Sequence, residues 1–165
     1  MHWLPVAAAL FLESIARPLL IVHALAAVVF CGVMTHECLC LVAYLRGKLV
    51  RYALENTYRT VAFWSCLVTW TTGALVYVTY RVRVRAEVWD RSPETQFLSG
   101  LFDVKENWAT IVLAMVTGLY IMGRRIDLRT DHGPGKIYAV LGLGGFALTW
   151  AMVVIGLYLV IRGSV

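Results

Sequence analysis

The chain has 165 residues, 60% hydrophobic and 15% charged, with a net charge of +5 at neutral pH. Soluble domains carry about 25% charged residues, so this balance and a mean hydropathy of +0.72 exclude an ordinary soluble domain. The length suits one membrane domain over 1–165, and the positive charge does not indicate nucleic acid, because Lys and Arg gather at the ends of apolar runs, where they snorkel to lipid headgroups.

The chain opens with an apolar stretch, LPVAAALFL, that has no basic segment before it and no small-residue cleavage site after it. Trp3 to Ala16 is expected to form a short helix lying in the membrane interface. Pro18 then suits the first turn of a spanning helix, where its missing N–H costs nothing. That first span is expected over Pro18–Leu45. The second covers Tyr58–Tyr80, the third Val104–Met122 and the fourth Ile137–Ile161. Each is near or above the roughly 20 residues that cross a hydrocarbon core. Backbone groups in lipid must bond within their own segment, so these continuous apolar runs predict helices.

The connections are short. Arg46–Thr57 is basic and extends the first helix outward. Gly123–Lys136 ends in HGPGK, which reads as a turn. The longest connection, Arg81–Asp103, is expected outside the membrane. In it Ser92-Pro93 marks a helix start, and Trp89, Phe97, Leu98, Leu101 and Phe102 press against the interface. Short connections make neighbours antiparallel, which gives an all-α, up-down four-helix transmembrane bundle preceded by the short interfacial helix. Both termini then share one side. Lys and Arg divide seven on that side to eight on the other, the eight lying around Arg46, Lys48, Arg51, Arg124, Arg125 and Arg129. The positive-inside rule places the two short loops in the cytoplasm, the termini outside it, and the protein in the plasma or inner membrane.

Polar groups concentrate in the first span. Glu37 costs roughly 2.5 to 3.5 kcal/mol on insertion scales. At about 100° per residue, positions 23, 27, 30, 34, 37 and 41 share one face, so Glu37 lies below His23 with Phe30 and Met34. Depth matching sets Ser65, Cys66 and Thr69 near Glu37, with Thr117, Gly118, Gly142, Gly144 and Gly145. An intramembrane polar or proton site is expected at Glu37, Thr69 and Thr117. The glycines allow close helix approach or room for a ring.

His23 and His36 stand about 20 Å apart along a helix axis. This spacing resembles that of the haem-ligating histidines of b-type cytochromes, in which two haems stack across the membrane. The resemblance covers one helix and two residues, and implies an electron-transfer subunit that binds b-type haem or quinone through His23 and His36. Two bis-histidine haems need four histidines at paired depths, and the other spans have none. A haem shared between chains, or one with a weaker second ligand, is the form these residues allow.

Of His36, Glu37, Cys38 and Cys40, only His36 and Cys40 point the same way, so no metal site is expected. Asp103 with Glu106 reads as a capping box that opens the third helix. The alternative there is a polar vestibule with His23, Tyr77 and Tyr158. Arg81, Arg83 and Arg85 are expected to contact lipid headgroups or a partner's acidic surface. There is no Walker loop, dinucleotide fingerprint, serine elbow, HExxH or CxxC. The leading expectation is a non-catalytic accessory or anchor subunit, partnered by other membrane subunits or a second copy. The alternatives are the electron-transfer subunit and a small proton-coupled carrier using Glu37.

Overall fold

The structure, a computed structural model, describes residues 3–46, 52–127 and 132–163; His2, Lys48, Arg51 and Arg129 lie outside these. Four helices carry the fold: α1 (Trp3–Leu45), α2 (Tyr52–Tyr80), α3 (Gln96–Arg125) and α4 (His132–Gly163). A π-helical segment, Arg81–Trp89, continues α2, and no strand occurs among the described residues. Three stretches, Ser14–Leu45, Tyr52–Ala86 and Gly133–Arg162, are long and apolar enough to cross a membrane. α3 is not among them: Asp103, Lys105 and Glu106 dilute its first half, and Arg124 and Arg125 end it.

Cross-helix contacts fix the directions. His23 meets Thr69 of α2 and His36 meets Tyr58, so α2 runs against α1. Phe63 stacks on Tyr120 and Tyr77 on Phe102, which sets α3 against α2. Gly142 sits beside Leu119 and Gly156 beside Lys105, which sets α4 against α3. α1 and α4 also touch, through Met34 and Gly145 and through Leu41 and Gly142, so the four helices close a ring. A Cβ on Gly142 would lie 2.2 Å from the Leu41 side chain. That glycine provides close helix approach rather than space for a ring.

Three apolar layers fill the bundle. Trp89, Leu98 and Leu159 pack at the end near the termini. Phe30, Met34, Ala62, Cys66, Val112 and Val116 form the waist. Leu41, Leu119, Tyr138 and Ala139 pack at the loop end. Outward side chains on α1 and α4 are large and apolar: Val28 is 71% exposed and Ile161 72%.

Several boundaries differ from expectation. The separate interfacial helix is absent, because α1 runs unbroken through Pro18. One proline removes a single backbone bond and tends to kink a helix; the Leu- and Ala-rich flanks on both sides still favour helix. α2 starts at Tyr52, six residues before Tyr58. The segment from Arg81 to Asp103 is mostly helical. Its π segment closes with the Asp90 N–H donating to the Arg85 carbonyl at 2.9 Å. Ser92 and Thr95 then form a turn, in which the Thr95 hydroxyl donates to the Trp89 carbonyl at 2.9 Å. Burial of Trp89 and Leu98 folds this piece back onto α4. α3 therefore begins at Gln96, so Asp103 lies inside a running helix and does not cap it. HGPGK is the first part of α4, not a turn; Pro in a first turn gives up an N–H that has no helical partner.

Candidate functional site

The loop end of the bundle buries an ionic cluster from three helices. α2 supplies Glu55 and Arg59, one turn apart on the same face, 0% and 2% exposed. Arg59 Nη1 donates to both Glu55 carboxylate oxygens, at 3.2 and 3.3 Å. α4 supplies Tyr138, whose hydroxyl donates to Glu55 Oε1 and accepts from Arg59 Nη1 at 3.4 Å. Arg59 Nη2 donates to Asn56 Oδ1. Gly123 of α3 forms the opposite wall. A Cβ there would fall 1.8 Å from Arg59 Nη1 and 2.2 Å from Cζ, so the guanidinium lies directly on the glycine backbone.

α1 brings Glu37 to this cluster. Its side chain is fully buried, and neither carboxyl oxygen has a hydrogen-bond partner among the described residues. It lies within electrostatic reach of Glu55, Arg59 and Tyr138. Two carboxyl groups thus share one guanidinium in a buried site. An isolated buried carboxylate is very unfavourable. The cluster is electroneutral when the carboxyl pair holds one proton. Arg59 Nε, also buried, has no partner among the described residues. Outside this cluster, an open cleft of about 430 Å³ is lined by Tyr52, Gly123, Arg124, Arg125, Ile126 and Asp127.

The residues expected around Glu37 go elsewhere. Thr69 and Thr117 turn their hydroxyls to their own helices, donating to the Ser65 and Leu113 carbonyls at 2.8 and 2.7 Å. Ser65 does the same to Val61 at 2.7 Å. Thr69 serves His23 instead: His23 Nδ1–H donates to the Thr69 carbonyl at 2.9 Å. His23 also lies against Gly73, where a Cβ would come within 3.0 Å of its ring. His36 is exposed on the outer side of α1. Its Nδ1–H donates to the Gly32 carbonyl at 2.8 Å, and its ring lies 5.5 Å from that of Tyr58. The two histidines therefore face different surroundings, and neither shares a site with Glu37.

A second polar cluster sits at the terminal end. Arg85 makes a bidentate pair with Asp103, at 2.6 and 3.1 Å, and approaches Asp90 at 3.5 Å. Ser99 donates to Asp90 at 2.7 Å. Tyr77 hydrogen-bonds Glu106. The Lys105 ammonium sits 5.6 Å above the Phe102 ring and within electrostatic reach of His23. Of the three arginines assigned to headgroups, Arg81 and Arg83 are exposed, and Arg85 is engaged inward. Tyr158 points outward beside Phe97 and Arg162.

Glu55, Arg59, Tyr138 and Gly123 were not singled out by their sequence. The signal is the i, i+4 spacing of Glu55 and Arg59 within ENTYR, a motif that the expected boundary between the basic connection and the second span cuts in two. No protein-family model matches this chain, and no curated protein or solved structure matches it either.

Proposed function

We propose that the chain crosses the membrane four times, with Val104–Met122 of α3 as the third crossing, and that it binds and releases a proton at Glu37 as a small proton-coupled carrier. The support for a third crossing is the position of α3 in the ring: Val112, Val116 and Leu119 face inward while Ile111 and Ile121 face outward. One observation carries the functional reading. Glu37 is wholly buried, neither oxygen has a hydrogen-bond partner among the described residues, and it faces a second buried carboxyl and an arginine. An ionisable group kept at such a position in a membrane helix marks an ion or proton path.

The chemistry follows from charge balance. Glu55 is held in place by Arg59 and Tyr138. Glu37 has no such partners among the described residues and is the exchanging member of the pair. Losing its proton leaves one uncompensated charge in the cluster. That change favours rearrangement of the helices or entry of water or a cation. The apolar waist of Phe30, Met34, Ala62, Cys66, Val112 and Val116 separates this site from the terminal end, as a coupled carrier requires.

The test is proton flux in proteoliposomes containing a pH-sensitive dye, comparing the wild type with Glu37→Gln. The amide keeps the shape and removes the titration. Flux is expected to vanish while helicity and thermal stability persist; unchanged flux overturns the reading. An accessory or anchor role predicts the opposite pattern: a copurifying subunit whose activity Glu37→Gln leaves intact.

A further inference from the structure

We propose that the cleft between the start of α2 and the end of α3 binds a phosphate group of the kind an anionic lipid headgroup carries. Its lining combines two exposed arginines, Arg124 and Arg125, with the Tyr52 side chain and the backbone of Gly123. A guanidinium matches phosphate through paired N–H donors, which an ammonium cannot do. Arg124 is also held in place: its guanidinium carbon sits 4.6 Å over the Tyr120 ring. That contact fixes the side chain before any ligand arrives.

The floor of the cleft is a thin glycine wall. Gly123 lines the cleft, and the Arg59 guanidinium rests on the same glycine from inside the bundle. Arg59 Nε has no hydrogen-bond partner among the described residues. Tyr52, on the cleft wall, is within electrostatic reach of Arg59. Asp127 at the rim opposes the arginines and limits how tightly an anion is held. The volume of about 430 Å³ suits one headgroup rather than a large solute. The position suits it too, since the apolar stretch Tyr52–Ala86 begins at this cleft. Basic pockets between membrane helices at this level hold phospholipid headgroups. The site stands independently of proton exchange at Glu37.

The experiment is native mass spectrometry of the full-length protein in detergent, with phosphatidylglycerol, phosphatidylcholine or inorganic phosphate added. Phosphatidylglycerol is expected to be retained over phosphatidylcholine. Losing one arginine weakens retention about five-fold, and Arg124→Gln with Arg125→Gln about 25-fold. Lysine at both positions restores part of it. Asp127→Asn tightens binding, and Arg162→Gln at the opposite end changes nothing. Retention that inorganic phosphate does not displace assigns the site to lipid. Saturable phosphate binding without preference between the two lipids assigns it to a soluble phosphate compound. The proposal is overturned if the double glutamine variant keeps both ligands at wild-type levels, or if Arg162→Gln lowers retention equally.

Discussion

The two ends of the bundle use the same residue types in opposite ways. At the loop end, Glu37, Glu55 and Arg59 are 0%, 0% and 2% exposed, and carboxyls outnumber the guanidinium. At the terminal end, Arg85 and Asp103 are 25% and 44% exposed, and Asp90 is 43% exposed. Water reaches the second set, so its excess charge is screened and its geometry is optional. It does not reach the first, so every missing partner there carries a desolvation penalty. The same ion pair is thus a conditional lock at one end and a surface contact at the other. Burial makes the difference, more than the identity of the residues.

The sharpest way to break this contrast is Arg59→Met. It removes the only guanidinium that the described residues place in the buried set and leaves two carboxyls and Tyr138 without it. Loss of one partner of a buried pair costs about 3–5 kcal/mol. Denaturant unfolding in micelles should show that loss. Adding Glu55→Gln should recover much of it, because the second change removes the orphaned charge. The paired variant keeps the test readable if the single one does not fold. A loss with Arg59→Met no larger than that of a surface arginine would show that the loop end is hydrated.

Gly123→Ala comes next. The new methyl would lie 1.8 Å from Arg59 Nη1, so the arginine or the helix must move. Overpacking of this kind costs about 1–3 kcal/mol. In a double-mutant cycle with Arg59→Met, the alanine should become nearly harmless, because its clash partner is gone. Additive losses would place the strain elsewhere in α3.

The inward face of α1 was legible in the sequence: 100° periodicity groups Phe30, Met34, Glu37 and Leu41, and all four are buried. The partners of Glu37 were not. Hydroxyls at matching depth looked like its natural ligands, but Thr69 and Thr117 bond the carbonyl one turn back. Ser and Thr in helices commonly satisfy themselves this way. The charged groups that do face it, Glu55 and Arg59, straddle the boundary that hydropathy draws between the connection and the second span. Averaging over a window counts two charges as two penalties, even where they neutralise each other. Asp103 failed for a related reason. Its polarity suggested a helix start, yet the burial of Trp89 and Leu98 carries the helix well past it, and Arg85 takes up its charge.

The smallest expected effect belongs to Arg85→Ala, and it tests the other half of the contrast. Arg85 and Asp103 have good bidentate geometry, at 2.6 and 3.1 Å, but both are partly exposed. Exposed pairs contribute about 0.2–1 kcal/mol, and bidentate contact places this one toward the upper end. Loss of the pair should therefore lower stability by less than about 1 kcal/mol. Raising the salt concentration should shrink the difference between wild type and variant, since screening already weakens the native pair. The deficit of Arg59→Met should barely change over the same range, because salt does not enter a dry cluster. A large, salt-independent deficit for Arg85→Ala would mean that the terminal end is buried as well, covered by something that binds over α3 and the π segment.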